Sequence, residues 1–492
     1  MDVDKRQHRA ILRDIARRVM LERGLLPDFS NDVLAELARL NARATTKSKS
    51  VRDLRDILWA SIDNDDSCDL DQLTVADRLP DGNVKILVAV ADVDALVKKS
   101  SAIDGHARTN TTSVYTPAEI FPMLPDKLST NLTSLNFNED RLSIVIDMTI
   151  GSDGTLQDID IYRARVCNHA KLAYNQVAAW LEGNEQVPDK IANVDGLADN
   201  LLLQDEVARS MRAHRHVHGG LNLETIEPRP VFDGDEIQYL EGVKKNRATA
   251  LIEDFMIAAN VSVARYLETR GLASIRRVVQ TPKRWDRIVE IAQDLGTELP
   301  DIPDSKALDK FLVKEKVADP LRFTDLCLTI IKLLGPGEYI TVLPGERAQE
   351  HFVLAVSQYA HATGPNRRFT DVITQRLLKA AMDGASSPYS NEELEVLAAR
   401  CTDIEHLVKK IERQVVKSAA ALLLEERIGE QFDAIVTGAA PKGTWVRLLD
   451  MPIEGKLVEG FEGVDVGHRL HVQLESVDVD QGFIDFRRVV PA

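Results

Sequence analysis

The spacing of apolar residues changes twice along this chain of 492 residues, and this change limits the folds open to it. Between about 51 and 165, apolar residues recur with a period of two, in runs such as "VKILVAVADV" and "RLSIVIDMTI", which predicts strands. From about 170 to 430 the period is helical. Strands followed by helices without regular alternation predict an α+β domain. Because a chain of this length exceeds one core, two or three domains are expected.

The first 50 residues predict a small helical module. "RAILRDIARRVMLERG" has apolar residues at helical spacing and ends at Gly24, and Ser30 or Asn31 is placed to cap a second helix. Basic residues outnumber acidic ones by five in the first 55 positions, although the whole chain has a formal net charge of −16. A helix-turn-helix nucleic-acid-binding module and a helical dimerisation or packing cap both fit this pattern. "RATTKSKS" is interpreted as the linker that follows.

The last part of the chain, from 429 to 492, predicts a small OB-type β-barrel. It contains five short strand-like runs separated by glycine turns. Phe432, Trp445 and Phe461 could offer faces on which nucleic-acid bases stack. The alternative is that one or two of them, Phe432 in particular, belong to the barrel core.

Composition excludes several classes of protein. Four single cysteines without a CxxC motif argue against a disulfide framework or a thiolate zinc site, so a reducing cytoplasm is expected. The N-terminal residues lack the apolar core of a signal peptide. The most apolar helical stretch carries Glu253 and Asp254 at its middle, which a membrane span rarely tolerates. No membrane role is therefore predicted.

Three histidines in "HRHVHGG" form another motif. His214, His216 and His218 would share one face of a strand and could then bind zinc. The segment begins at the end of a predicted helix, so a basic or solvated segment is the preferred interpretation.

The stretch "SIDNDDSCDLDQL", residues 61 to 73, has five aspartates directly after a strand-like run. Asp69 and Asp71 are two apart and can point the same way from an extended backbone. Together with Asp63 they could direct several carboxylate oxygens to one point, where a hard divalent cation would relieve their repulsion. A solvated acidic loop is the alternative for this stretch taken alone.

These aspartates and four later blocks resemble the RNase II/RNase R family of exoribonucleases, through its RNB catalytic domain. The family signature is an aspartate, five intervening residues and then D-x-D-D. The later blocks follow in the family's order, as "VAVADV" (88–93), "YTPAEIFPMLPDKLSTNLTSL" (115–135), "LIEDFMIAAN" (251–260) and "ATGPNRRFTDVITQRLLKA" (362–380). The resemblance implies an RNB domain at 51–428 and an RNA-binding OB-fold of ribosomal-protein type at 429–492.

The resemblance also implies a metal site. Asp63, Asp69, Asp71 and Gln72 would hold or support two Mg²⁺ ions, one activating water and the other steadying the leaving 3′ oxygen. Asp71 and Arg367 would be catalytic. Gln72 departs from the family, which has a second adjacent aspartate there, and this puts the second ion in doubt.

Other positions that match the family imply contacts with RNA. Arg367 and Arg368 follow a Gly-Pro-Asn turn before a helix, where free N–H groups, the helix dipole and guanidinium groups favour phosphate. Tyr115 would stack on a base near the 3′ end, and Glu253 would contact ribose or order the site. The alternatives are a structural ion pair for Arg367, a core or surface role for Tyr115, and a helix ion pair for Glu253.

Two further departures concern how RNA is guided. The segment "GGLNLET" lacks the second aromatic residue with which the family clamps a base. Two cold-shock domains, usual in the family, do not fit into the 50 residues of helical pattern at the start of this sequence, so another element is expected to guide RNA.

The function implied by the resemblance is a processive, hydrolytic 3′-to-5′ exoribonuclease that degrades single-stranded RNA to nucleoside 5′-monophosphates as a monomer. An RNA-binding homologue that has lost catalysis is the alternative, because Gln72 breaks the motif. A helix-turn-helix DNA regulator is a weaker possibility, since the first 50 residues are a tenth of the chain.

Overall fold

The computed structural model describes residues 7–40, 50–346, 350–440 and 443–489. Most of the predicted linker "RATTKSKS" lies outside these described residues. The helices are α1 (His8–Glu22), α2 (Asn31–Arg39), α3 (Ala102–Asn110), α4 (Tyr174–Leu181), α5 (Asp189–Ala192), α6 (Leu197–Val217), α7 (Arg247–Thr269), α8 (Trp285–Asp294), α9 (Ser305–Ala318), α10 (Pro320–Leu334), α11 (Phe369–Asp383) and α12 (Asn391–Leu424).

The strands fall where the period of two predicts them, with one hairpin and one further antiparallel pair of strands among the helices. They are β1 (Arg52–Asp53), β2 (Ala60–Asp63), β3 (Gln72–Arg78), β4 (Val84–Ala91), β5 (Val114–Tyr115), β6 (Ile120–Phe121), β7 (Asp140–Ile150), β8 (Leu156–Cys167), β9 (Ala170–Ala173), β10 (Glu227–Asp233), β11 (Glu236–Val243), β12 (Ser274–Val278), β13 (Glu338–Val342), β14 (Gln431–Ala440), β15 (Gly443–Leu448), β16 (Glu454–Glu459), β17 (Arg469–Asp478) and β18 (Phe483–Arg488).

A seven-stranded sheet lies at the centre of the part of the chain between about 51 and 428, with strand order β1-β8-β7-β4-β3-β2-β9. The predicted turn "GSDG" joins β7 to β8, and Gly154 there has φ of +81°. A Cβ at Gly154 would lie 2.4 Å from the carbonyl oxygen of Ser210, so helix α6 can approach the turn only because the residue is glycine. Apolar side chains on both faces of the sheet are buried, in two separate cores.

Helix α7 is central to the larger core. It begins with a capping box, in which the Asn246 side chain accepts from Thr249 N–H and the Thr249 hydroxyl accepts from Asn246 N–H. Its buried residues include Phe255 and Asn260. Glu253 lies in its second turn. The mixed strands and helices confirm the predicted α+β class.

The C-terminal part is a closed barrel with neighbouring strands in the order β14-β15-β16-β18-β17, as predicted. Phe432 is partly buried against the core residue Phe486, with ring centroids 6.3 Å apart, and this supports the core alternative for Phe432. Trp445 is half-buried. Phe461 is 45% exposed and retains a face that a base could reach.

The N-terminal helices pack on the rest of the chain, α1 against α12 and β11, and α2 against α3. The apolar face of α1, which includes Leu12 and Val19, is buried in a core shared with α12. Gly24 and the Ser30 cap lie where they are predicted. The basic side chains of α1 and the turn after it face polar or acidic partners, in the pairs Arg9–Asp235, Arg13–Asp14, Arg17–Asp28, Arg18–Asp480 and Arg23–Gln414. This arrangement favours the packing-cap alternative.

No helix in the described ranges combines the length and apolar character needed to cross a membrane.

Candidate active site

The turn before α11 is held by two carboxylates from different parts of the chain. Asp371, in the first turn of α11, accepts from Gly364 N–H at 2.7 Å and from two nitrogens of Arg368 at 2.8 and 2.9 Å. Asp71 accepts from Asn366 N–H at 2.9 Å and from Arg367 Nε at 3.2 Å. The aspartate segment and the arginine turn, predicted separately, are therefore in direct contact.

Asp71 is 2% exposed, whereas the side chain of Arg367 is 40% exposed. Burial raises the pKa of Asp71 to about 7, against the opposing effect of the Arg367 charge. The pairing fixes the base of the guanidinium and leaves its outer edge toward solvent. Such an edge can donate hydrogen bonds to a phosphate.

Arg368 has a different environment. Its partner Asp371 is fully buried, and both carboxylate oxygens are occupied. This buried carboxylate competes with the predicted phosphate contact by Arg368, and that contact stays a prediction. Arg368 holds the turn that carries Arg367.

Asp63 and Asp69 lie at the two sides of the acidic loop. Burial raises the pKa of Asp69, and the nearby charge of Asp63 raises it further. Asp63 accepts from the Ser67 hydroxyl at 2.9 Å. Asp69 in turn raises the pKa of Asp71, so each carboxylate lies near the next.

Within the part of the chain that is described, no three His, Cys, Asp or Glu side chains are arranged to hold a metal ion. Magnesium is commonly bound through one or two carboxylates together with water and substrate phosphate. Asp63, Asp69 and Asp71 are hard oxygen donors of the type that such an ion prefers, and one or two of them at a time could bind it. Two ions and a complete ligand set remain predictions.

Gln72 begins β3 and pairs with Val90 of β4. Since adjacent residues of an extended strand point to opposite faces, Gln72 and Asp71 do not share one face. The Asp71 carbonyl oxygen accepts from Ala91 N–H at 2.9 Å, which extends the pairing to Asp71. The Gln72 side chain therefore leaves the strand on the face opposite to the Asp71 carboxylate, and its role as a metal ligand stays a prediction.

Tyr115 reaches the site through the short segment before it. Ser113 N–H and the Thr112 hydroxyl both donate to the Arg367 carbonyl oxygen at 3.0 Å. Tyr115 is 40% exposed, and the proximity of its hydroxyl lowers the pKa of Asp69. An open cavity of about 200 Å³ adjoins Tyr115 and Arg367. The ring is available for stacking beside the arginine.

Glu253 is paired with Lys245, whose Nζ lies 2.8 and 2.7 Å from the two carboxylate oxygens. This is an ion pair, as the alternative for Glu253 predicts, although Lys245 precedes the helix. Tyr174 was not predicted as a site residue. Its pKa is raised by burial and by the charges of Asp63 and Glu253, and lowered by Arg367, so it lies among all three.

The position of Tyr174 depends on sheet register. β9 pairs with β2 so that Asp63 faces Ala173, which brings the next residue, Tyr174, to the end of the Asp63 strand. The local sequence around Tyr174 predicts only the start of a helix, so nothing in it indicates that Tyr174 lies at the candidate site.

Asn366 was also not predicted. Its side-chain oxygen accepts from the Thr133 hydroxyl at 2.6 Å, and its buried Nδ2 has no hydrogen-bond partner among the described residues. The orphaned amide lies one residue from Arg367. Its environment could be recognised only after the turn and the Thr133 segment had been brought together.

The three histidines do not share a strand face, so the zinc alternative lacks the geometry that it needs, and the segment lies at a helix end as the preferred interpretation has it. His214 and His216 lie in α6, and His218 is its C-cap residue. His214 and His218 are one turn apart with ring centroids 4.4 Å from each other, while His216 faces Asp309. Helical geometry separates His216 from the other two.

A model of the RNB domain family matches residues 51–384, and a model of the RNase II-type exonuclease C-terminal S1 domain matches residues 430–489. Ribonuclease R of Escherichia coli is 29% identical over 487 residues, covering 92% of this chain and 59% of that protein. Ribonuclease R of Thermotoga maritima is 30% identical over 444 residues, covering 87% of this chain and 61% of that protein. The chain thus spans about three fifths of the length of these relatives.

Solved structures show the same fold. RNase R of Mycoplasma genitalium, in complex with ribose-methylated single-stranded RNA, matches with a TM-score of 0.87 at 23% identity, covering 97% of this chain and 78% of that one. Yeast Ssd1, described as a pseudonuclease, matches with a TM-score of 0.68 at 17% identity, covering 85% of this chain and 51% of that one. The fold therefore occurs both in a ribonuclease and in a pseudonuclease.

Proposed function

Because this chain belongs to the RNB domain family, we propose that it is a hydrolytic, processive 3′-to-5′ exoribonuclease acting on single-stranded RNA. The products would be nucleoside 5′-monophosphates. The observation that carries the proposal is the contact between Asp71 and the Arg367 turn, with Asp63 and Asp69 alongside. Carboxylates for a divalent ion and an exposed guanidinium for phosphate are thereby placed together.

The side chains have separate tasks in this proposal. Asp71 holds the Asn366 N–H and the Arg367 Nε, so the outer edge of Arg367 is oriented toward a scissile phosphate. Tyr115 offers its ring to a base, and Glu253 and Tyr174 offer polar groups to ribose. The N-terminal helices support the fold, and the barrel offers Phe461 to the RNA strand.

Asp63 and Asp69, with Asp71 or Gln72, would hold Mg²⁺. When bound, the ion would lower the pKa of an attacking water and polarise the phosphate. Both carboxylate oxygens of Asp71 already accept from the protein, whereas the two donors to Asp63 share its Oδ1, so Asp63 keeps more freedom to bind the ion.

The test is a time course on 5′-labelled single-stranded RNA and on a duplex with a 3′ single-stranded tail, with magnesium and with excess chelator. We expect stepwise shortening from the 3′ end, release of 5′-mononucleotides and no cleavage in chelator. Cleavage that persists in chelator would exclude the metal mechanism.

A homologue that binds RNA without cleaving it is the second candidate. Gln72 at the motif position and the fold shared with a pseudonuclease favour it. RNA binding without any mononucleotide release, over a range of magnesium and manganese concentrations, would support this candidate and exclude the first.

A further inference from the structure

The ion pair between Lys245 and Glu253 lies at the edge of the candidate active site. Lys245 is two residues before α7 and is joined to the site by its neighbour Asn246, whose Nδ2 donates to Asn175 Oδ1 at 3.0 Å. Asn175 follows Tyr174, which lies among the charges of Asp63, Glu253 and Arg367. The Lys245 ammonium is thus placed beside the same recess.

The exposure of this pair distinguishes it from other ion pairs near α7. The side chains of Lys245 and Glu253 are 60% and 43% exposed. Arg247, two residues later, is instead held by the buried carboxylate of Asp205 through two nitrogens. An exposed pair contributes only about 0–1 kcal/mol, so Lys245 can exchange its partner at little cost.

The negative charge around the recess explains why such an exchange of partners would favour RNA binding. Asp63, Asp69, Asp71 and Glu253 are acidic, and Arg367 is already bonded to Asp71. A nucleic-acid strand is a polyanion and is bound mainly by cations that contact its phosphates. The outer edge of Arg367 alone would leave this recess strongly acidic, and an acidic recess repels a polyanion.

We propose that Lys245 is a phosphate-binding residue of this site, paired with Glu253 in the free protein and transferred to an RNA phosphate when the strand enters. The proposal rests on the proposed function. When the Lys245 ammonium leaves Glu253, the carboxylate oxygens of Glu253 can accept hydrogen bonds from a hydroxyl group of the substrate. One exchange therefore supplies a cation for phosphate and an acceptor for sugar.

The neighbouring Lys244 provides a matched control. Both lysines lie in the non-helical segment between β11 and α7 and are exposed, and Lys244 is not in the ion pair with Glu253. Lys244→Gln and Lys245→Gln remove the same charge one residue apart. Because both positions are exposed, neither variant is expected to change stability by more than about 0.5 kcal/mol.

The experiment measures binding of a 5′-fluorescein-labelled oligoadenylate by anisotropy, in chelator, over a series of NaCl concentrations. Lys245→Gln is expected to weaken binding about tenfold at low salt and to reduce the slope of log Kd against log salt by about 0.7. Lys245→Arg and Lys244→Gln should keep the wild-type slope.

The outcomes separate this inference from the function on which it rests. If the wild type binds RNA and Lys245→Gln has the slope of Lys244→Gln, Lys245 does not contact phosphate and only this inference is overturned. If the wild type neither binds nor shortens RNA, the proposed function is overturned together with it. An equal loss of RNA affinity in both glutamine variants would indicate a general effect of positive charge in this segment. It would also overturn the assignment to Lys245.

Discussion

Charged side chains lie toward both ends of α11. Toward one end each charge is paired with an opposite charge, whereas at the other end acidic side chains outnumber the basic ones. Toward its C-terminal end, Arg376 bonds to Asp94 at 2.9 Å and Asp104 at 2.8 Å, and Lys379 bonds to Asp92 at 2.5 Å and Asp94 at 2.9 Å. Every carboxylate in this cluster has a cation, and each side chain is at most 15% exposed. This end is closed.

At the N-terminal end, three carboxylates lie near one available guanidinium. Asp71 bonds to Arg367, whereas Asp63 and Asp69 have no basic side chain in a described ion pair. Gln375 connects the two ends, because its Nε2 donates to the Ala91 carbonyl oxygen and Ala91 N–H donates to the Asp71 carbonyl oxygen. The same helix is therefore anchored by a balanced cluster and has an unbalanced one at the candidate active site.

The difference separates structural from functional charge. A buried cluster in which each carboxylate is paired fixes the position of a helix, and removing one partner is costly. An acidic cluster that is short of cations and partly open to solvent can take up a divalent ion and a phosphate together. The four predictions below test this distinction.

The largest effect is expected for Asp71→Asn, which should lower turnover roughly a thousandfold or more, because one charged group at a phosphoryl-transfer site can be worth several kcal/mol. The amide can still accept from Asn366 N–H, so RNA binding should persist. Asp65→Asn, in the same loop and exposed, is the matched control and should retain turnover. Single-turnover cleavage and anisotropy measure the two properties. Lost binding in a folded Asp71→Asn protein would contradict the assignment.

The second prediction compares arginines at the two ends of α11. Arg376→Met should destabilise the protein by about 3–5 kcal/mol, because it leaves Asp94 and Asp104 buried with less compensation. Arg367→Met should lose turnover with a much smaller change in stability, since its side chain is 40% exposed and that of Arg376 is 4% exposed. Urea unfolding measures both. Equal losses of stability would remove the distinction between the ends.

The third prediction adds charge to the unbalanced cluster. Gln72→Asp should lower the magnesium concentration for half-maximal activity by roughly tenfold, because a carboxylate about 4 Å from a divalent ion adds on the order of 1–2 kcal/mol even at high dielectric. Rate against magnesium for both proteins is the measurement. An unchanged or higher midpoint would place Gln72 outside the metal shell, as its direction opposite to Asp71 would permit.

The smallest effect is expected at α1, where the charge pairs are exposed. Replacing Arg17 and Arg18 by glutamine should change the free energy of unfolding by less than about 1 kcal/mol per pair. The salt dependence of RNA binding should also stay the same, because both arginines face acidic partners, Asp28 and Asp480. A flatter slope of log Kd against log salt would restore the nucleic-acid-binding interpretation of the N-terminal helices.

Fold class was readable from the sequence because strands and helices impose periods of 2 and 3.6 on apolar residues. The sheet, the long helices and the five-stranded barrel follow these periods, and the helix end at Gly24 and cap at Ser30 depend on nearby residues alone. The family was likewise readable, because its motifs are contiguous stretches of sequence.

The sequence by itself placed Asp63, Asp69 and Asp71 within nine residues, and so determined that negative charge would concentrate there. Only the tertiary structure decided which cation meets it, since Arg367 is 296 positions from Asp71. Partners at that distance are selected by the packing of α11 against the sheet, and no local period records them.

The same reason explains why Tyr174 and the partner of Arg368 could not be predicted. Tyr174 reaches the site through the register of β9 on β2, and the guanidinium of Arg368 is held by the buried Asp371. Phe432 is taken into the barrel core. Whether a polar or aromatic side chain is free to act depends on burial and on competing partners, and both are properties of the assembled fold.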